Sequence, residues 1–329
     1  MKIFPIKVEP FEPPESKIIE WKLHNVCNHD CSFCSAINKD GSQRWLTLDK
    51  YKEHVDRLTT SMSNVKTIWF RLTGGEPTLY PDLLELIIYI KSKGAMVSMI
   101  SNGSRTIRWW KELAESNALD YLFLSYHPEQ TDDWQHISDV ANLFHNAPVE
   151  VNIAITHTIP VFAKAVESMD NFVETTGAII NLLAMTINGI TEEYTEEQYT
   201  MLKNVNWKFG KKRDTKQMFP YDASTKLANN LVRITYNYTK IQFKVEAQSL
   251  IKNKQNNFLN WECFVGKDFM RIEGDKIYRG VCKQGPVRNL FDPNINFTND
   301  SIICKTNKCT CSADIKSTKI LPESMYPLA

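Results

Sequence analysis

No apolar run in the 329-residue chain approaches the roughly 20 residues needed to span a bilayer, which argues against a membrane-spanning helix. Net charge is nearly absent as well: 39 Lys and Arg face 38 Asp and Glu, leaving +1, so no global field draws the chain to nucleic acid or an anionic membrane. The first ten residues lack a signal peptide's apolar stretch and are broken by Pro5, Glu9 and Pro10. A cytoplasmic chain is expected, in which thiols stay reduced and clustered cysteines point to metal in preference to disulfides. There is no repeat of fixed short period and no low-complexity tract. Cysteine is missing from the whole stretch between Cys34 and Cys263. The eight cysteines therefore fall into an early group, Cys27, Cys31 and Cys34, and a late group, Cys263, Cys282, Cys304, Cys309 and Cys311. That distribution suggests two metal sites on two structural units.

Residues 1–17, rich in Pro and Glu, read as an irregular lead-in. From 18 onward, runs of β-formers alternate with helical apolar spacing: strands at 18–23, 67–72, 95–100, 121–126, 149–156 and 179–185, with helices at 47–60, 81–93, 106–115, 132–144 and 161–173. This order predicts a parallel α/β sheet with helical crossovers over 18–190. Six units are too few for a closed eight-stranded barrel but can curl into an open, partial (β/α)6 TIM-like barrel. Residues 191–257 lose the pattern and read as a connector or insertion with a helix at 192–205 and a weak strand at 231–236. Residues 258–329 form a small cysteine-rich domain with a β-hairpin over 269–279, turning at Gly274-Asp275.

Three thiols within eight residues, separated by Asn, His, Asp and Ser, have loop composition and read as a metal loop hanging from a strand's C-terminal end. In parallel α/β folds that end is where ligands bind. The loop alone fits equally an iron–sulfur cluster or a structural zinc completed by His24 or His29. The next strand ends in Thr73-Gly74-Gly75-Glu76-Pro77 and should surface beside the cysteines. Its glycines would let backbone approach a ligand, and Glu76 would accept from an ammonium group.

Cys27-x3-Cys31-x2-Cys34, with Phe33 before the third cysteine and Gly74-Gly75-Glu76-Pro77 on the next strand, strongly resembles the radical S-adenosylmethionine (radical SAM) superfamily. The resemblance covers about residues 18–186. It implies a [4Fe–4S] cluster held by Cys27, Cys31 and Cys34, whose open iron position chelates S-adenosylmethionine. Reductive cleavage would then yield a 5′-deoxyadenosyl radical that abstracts hydrogen from substrate. Phe33 would lie near the adenine. Gly74, Gly75, Glu76 and Pro77 would bind the methionyl end, and Ser101 and Asn102 match the ribose-contact region. An electron donor such as flavodoxin or ferredoxin is implied as a partner. The late cysteines and their hairpin look like the SPASM/twitch extensions that carry an auxiliary [4Fe–4S] cluster. On that resemblance Cys263, Cys282, Cys309 and Cys311 are the expected ligands, with Cys304 a substitute ligand or free. A structural zinc on the same residues is the alternative.

Further features stand beside these motifs. His127 follows Ser125, itself a candidate cofactor contact, on one strand face and could bind substrate or tune a proton, or simply end the strand as a turn residue. Glu150, Asn152 and Thr156 alternate with apolar residues and either line a cavity or face solvent. The basic run 203–216, with Lys208, Lys211, Lys212 and Arg213 beside Trp207 and Phe209, reads as a solvated loop in preference to nucleic-acid contact. Trp109-Trp110 is expected in the core. Three functions are carried forward: a radical SAM enzyme acting on a small molecule such as a sugar, nucleotide or metabolite; a peptide-modifying radical SAM maturase, which the short lead-in disfavours; and a non-catalytic zinc-binding interaction module.

Overall fold

The alternation of β-forming runs and amphipathic helices is realised in the computed structural model, which describes residues 3–11, 16–156, 159–187, 190–191, 194–204, 208–212, 231–237, 242–292 and 300–326. Two units emerge, one of residues 21–55 and 70–219, the other of 1–20, 56–69 and 220–329. The strands and helices up to residue 204 are β1 (Pro5–Pro10), β2 (Ser16–Lys22), α1 (Leu48–Ser61), β3 (Thr67–Thr73), α2 (Leu83–Ser92), β4 (Met96–Ser101), α3 (Ile107–Glu115), β5 (Tyr121–Tyr126), α4 (Trp134–Leu143), β6 (Val149–Ile155), α5 (Ile159–Thr175), β7 (Ile179–Ala184) and α6 (Glu196–Asn204), with two-residue strands at Thr186–Ile187 and Ile190–Thr191.

One sheet runs in the order β7-β6-β5-β4-β3-β2, each strand beside its predecessor in sequence. The pairs β4·β5, β5·β6 and β6·β7 are parallel, as right-handed helical crossovers between successive strands require. Phe70, Leu72, Val97, Met99, Leu122, Leu124, Val151 and Ile153 are wholly buried, as are Leu83, Leu86, Ile87 and Ile90 of α2. Burial of apolar side chains at i, i+3, i+4 and i+7 is what holds that helix in place. Trp110 is buried as expected, whereas Trp109 is only half-buried, packing edge-on against Trp110 and lying under Arg105.

The second unit overturns the irregular lead-in. β1 is a strand, antiparallel to Leu231–Tyr236 with Val8 opposite Ile234, and on its other edge to Lys319–Ile320. The sheet order is Gln242–Glu246, Leu231–Tyr236, β1, Lys319–Ile320, Glu262–Cys263, Ile302–Ile303. The two prolines stand at its ends, where a missing N–H is tolerated, and Val8 points into a core of Val232, Ile234, Leu250, Phe258 and Trp261. The expected connector likewise carries regular structure: a strand at Gln242–Glu246 and a helix at Ala247–Lys252. The hairpin is present, Phe269–Glu273 pairing with Lys276–Tyr278 and Gly274 taking φ +60° at the turn. Among the described residues no helix is long and apolar enough to cross a membrane.

Candidate metal and cofactor site

Backbone pairing joins the two early motifs. Leu23 N–H donates to Thr73 O at 2.9 Å, Gly75 N–H to His24 O at 2.8 Å and Glu76 N–H to Val26 O at 2.8 Å. A Cβ at Gly74 would stand 2.7 Å from His24 O, and one at Gly75 2.1 Å from Val26 O. The glycines therefore admit the backbone leading into the cysteine loop. Trp21 and Tyr51 brace this junction edge to face, and Tyr51 Oη donates to Leu23 O at 2.7 Å. Buried Asn25 closes the loop's far side: Nδ2 donates to Asp40 Oδ1 at 2.7 Å and to Ile37 O at 2.9 Å, while Oδ1 accepts Gln43 N–H at 2.7 Å.

Side chains beyond the loop fix its crest. Asn28 Oδ1 accepts from Asn102 Nδ2 at 3.0 Å, and Asn28 Nδ2 donates to Ser104 Oγ at 2.9 Å. Glu129 takes Ser32 N–H and Oγ–H on its two oxygens, each at 2.8 Å. Gln130 Oε1 accepts Asp30 N–H at 3.0 Å, and Lys39 Nζ donates to Cys31 O at 2.8 Å while pairing with Asp30. Sequence reasoning missed Asn25, Glu129 and Gln130. Each acts across a sequence gap, and only the Pro-Glu-Gln stretch after β5 hinted at a polar turn.

Glu76 is buried. Its Oε1 accepts from Thr78 N–H at 3.1 Å, Thr78 Oγ1 at 2.6 Å and Ser101 Oγ at 2.7 Å, and its Oε2 from Asn102 N–H at 2.7 Å. Burial pushes its carboxyl above the usual range, and these hydrogen bonds offset only part of that rise. Oε2, with one donor, keeps acceptor capacity. Ser101 and Asn102 are thus turned onto Glu76 and Asn28. Pro77 is buried and begins the short turn Pro77–Leu79 that Glu76 caps.

Cys31 is buried and Cys27 and Cys34 are half-buried. Burial pushes the Cys31 thiol up to about 12, with Glu129 and then the other two thiols adding to the rise. Burial likewise raises Cys27 and Cys34. Among the described residues no three His, Cys, Asp or Glu side chains close to metal-ligand geometry; the thiols share a loop and feel one another's charge without meeting at one point. Their chemistry nonetheless fits a cluster with one iron left open. Three soft donors come from one loop, and His29 N–H donates to Cys27 Sγ at 3.4 Å, while His24 Nδ1 accepts Val26 N–H at 3.2 Å and its ring lies edge-on to Trp45.

Phe33 and His29 both lie against His127, with ring centroids 5.4 Å and 6.0 Å away. His127 Nδ1 is buried without a hydrogen-bond partner, and burial, then His29, holds the ring down at about 4. His127 is therefore a neutral imidazole facing the cysteine loop. Ser125, two residues earlier, is opposite Asn152 on β6, which is opposite Asn181 on β7. Lys208 and Lys211 pair with Asp170 and Glu174 of α5, which favours the ordinary surface reading of that run. Trp207 and Arg213 lie outside the described residues.

In the second unit Cys263, Cys304 and Cys309 are buried in the hydrophobic core, Cys311 is half-buried and Cys282 exposed. Burial raises Cys309 to about 12 and Cys311 to about 11, and raises Cys263 and Cys282 as well; the Asp314 charge acts on all four in the same direction. Asp314 is buried, its two oxygens accepting Val281 N–H at 3.1 Å and Cys282 N–H at 2.7 Å. Buried Lys319 stands opposite Cys263 in the sheet and donates to Ile315 O and Ser317 O, its charge lowering Cys263 and Cys309. Cys304 points its Sγ to Thr306 O at 3.7 Å. Neither Asp314 nor Lys319 stood out in sequence.

Comparison with known proteins adds four findings. Residues 21–202 match the model of the Radical SAM superfamily. A probable GTP 3′,8-cyclase of Thermococcus kodakarensis is 29% identical over 175 residues, covering 50% of this chain and 55% of that protein. An S-adenosylmethionine-dependent nucleotide dehydratase of a Thermoplasmatales archaeon is 29% identical over 147 residues, covering 41% and 50%. The chain thus spans about half the length of these curated relatives. Among solved structures, SuiB of Streptococcus suis bound to the precursor peptide SuiA superposes with a TM-score of 0.51 at 12% identity, over 84% of this chain and 63% of that one. At that identity the likeness concerns the fold alone.

Proposed function

This chain belongs to the radical SAM superfamily, and from that premise we propose that it is an enzyme that cleaves S-adenosylmethionine at its early cysteine loop to start a radical reaction on a small molecule. The observation that carries the reading is the coupling of two motifs by backbone: Gly75 and Glu76 N–H groups bond to His24 O and Val26 O at the root of the loop bearing Cys27, Cys31 and Cys34. The six-unit parallel sheet serves as the partial barrel of the family. Cys27, Cys31 and Cys34 would hold a [4Fe–4S] cluster, which when loaded supplies the electron that breaks a carbon–sulfur bond of the bound cofactor. Glu76 Oε2, buried and singly engaged, is the acceptor for the cofactor's ammonium group. Phe33 and the neutral His127 offer flat faces to its adenine and keep water from that side. Glu129, Gln130 and Lys39 hold the loop so that the thiols need little rearrangement on loading.

In the second unit, Cys263, Cys282, Cys309 and Cys311 would hold an auxiliary cluster. All four feel the charge of buried Asp314, and Cys304, which acts on Cys263, would be a substitute ligand or free. A small-molecule substrate is favoured by the two relatives whose names specify GTP and a nucleotide. Flavodoxin or ferredoxin would supply the electron. The test is anaerobic reconstitution followed by iron, sulfide and zinc analysis and assay of 5′-deoxyadenosine under dithionite. Iron–sulfur absorption and cleavage that vanish in the Cys27→Ala/Cys31→Ala/Cys34→Ala variant are expected; tight zinc with no visible bands would reject the enzyme in favour of a zinc module.

A further inference from the structure

Val8, Lys319, Cys263 and Ile302 stand opposite one another on four adjacent antiparallel strands of the second unit. Register partners project from one face of a sheet. Here that face is the hydrophobic core, to which Val8 and Cys263 belong and against which Ile302 packs. Period-2 patterning therefore asks for an apolar residue at 319. A lysine stands there instead, and only 1% of it is exposed. Its Nζ donates to three backbone carbonyls: Asp314 O, Ile315 O at 3.1 Å and Ser317 O at 2.9 Å. Three acceptors take three N–H groups, which only the charged ammonium has. The ammonium also lies over the Phe258 ring, 5.1 Å from its centroid.

Among the described residues no carboxylate pairs with this cation. Asp314, whose backbone carbonyl it bonds, directs both carboxylate oxygens to Val281 and Cys282 N–H. An unpaired buried charge is costly, and an apolar side chain of similar length would fill the same space without that cost. What the position keeps is a positive charge, and the groups beside it that can become anions are the late thiols. Burial raises Cys263 and Cys309, and Lys319 is the largest influence opposing that rise at each. Metal binding deprotonates thiols. A loaded late site is therefore the anion that this cation lacks, and the fit of the enclosed thiols to a metal is better for it.

We infer that Lys319 is the buried counter-cation of the late cysteine site and sets how readily the metal group held there takes on negative charge. This rests on the late cysteines being a metal site, as proposed above. Reduction of an iron–sulfur cluster takes one electron from a donor and no proton, so one more negative charge is enclosed among the same residues. A fixed cation beside them stabilises the reduced form and raises the potential. On zinc, which has no such step, the same cation would stabilise the bound thiolates themselves.

The test is a dithionite titration of the anaerobically reconstituted full chain with mediator dyes, followed by electron paramagnetic resonance. The late cluster is the signal missing from Cys309→Ala, and the early cluster is the internal control. Lys319→Met should favour the oxidised late cluster about tenfold or more, a potential lower by at least about 59 mV for one electron, with the early cluster unmoved. Lys319→Arg, which keeps the charge, should stay within about threefold of wild type. Lys319→Gln, which keeps N–H donors for the carbonyls but no charge, replaces Lys319→Met if that variant fails to fold by circular dichroism. A lysine that only braced the chain would change stability and leave the potential where it is. An unchanged late potential in the neutral variants therefore overturns the inference. Should the late site take zinc and no cluster, the auxiliary cluster falls and zinc affinity, measured by chelator competition, becomes the readout. Binding about tenfold weaker in Lys319→Met, with Lys319→Arg close to wild type, then keeps the counter-cation, and equal binding in all three removes it. A late site that binds neither overturns both. A late potential that moves as expected in a protein that cleaves no S-adenosylmethionine would leave Lys319 its role and remove the proposed enzyme.

Discussion

The early cysteines sit on a polar loop held from outside by hydrogen bonds, whereas three of the late cysteines are packed among Val8, Phe258, Trp261 and Leu321 in a hydrophobic core. In the first set only Cys31 is buried, whereas in the second Cys263, Cys304 and Cys309 are enclosed, Cys311 is half-buried and Cys282 is exposed. A metal bound in the late set would contribute to the stability of its unit, since burial and ligation act on the same residues. A metal bound in the early set would contribute chemistry with little effect on the core. The family resemblance already set the early group apart from the late one, and the two also differ in their surroundings.

The largest effect expected tests that contrast directly. Cys34→Ala should reduce 5′-deoxyadenosine formation to background with a melting temperature close to wild type, while Cys309→Ala should lower stability on the order of 2 kcal/mol, read from urea unfolding. The reverse pattern would dissolve the distinction. Next in size is Gly75→Ala, whose methyl would meet Val26 O. Overpacking there should cost about 1–3 kcal/mol and lower the iron retained after desalting, whereas Gly285→Ala in the second unit should leave early-loop iron unchanged. Glu129→Ala removes two hydrogen bonds at an exposed position, worth about 1 kcal/mol of loop order. It should speed iron loss to a chelator without moving the melting temperature by more than a few degrees.

The smallest effect concerns pH. Burial holds His127 at about 4 against an ordinary value near 6.5, so the unfolded chain binds the extra proton between those limits. The stability from its neutral form is full above 6.5 and is lost as pH falls toward 4. In the metal-free protein, His127→Phe should flatten the fall in urea midpoint between pH 7 and pH 5. An identical fall in both proteins would place His127 in water.

The first unit was largely legible because its signals are local: each strand of the 18–186 region is an apolar run bounded by turn residues, and observed ends lie within two residues of those expected. β1 was not legible, because Pro5-Ile6-Lys7-Val8-Glu9-Pro10 becomes a strand only through partners beyond residue 230. Long-range antiparallel pairing leaves no local periodicity to read. The same holds for the site. Cysteines and the Gly-Gly-Glu-Pro motif announce themselves by type, whereas Glu129, Asn25 and Asn28 are ordinary polar residues whose role comes from what the fold sets opposite them. Glu76 lay between these cases: its importance was readable, but not that Thr78, Ser101 and Asn102 already occupy it.

Because Gly74 and Gly75 lie flat against the carbonyls of His24 and Val26, the cysteine loop and the segment after β3 are two halves of one cassette. Anyone transplanting this loop into a designed scaffold would have to carry residues 73–78 with it. A graft of the cysteines alone would arrive without the floor on which they are laid.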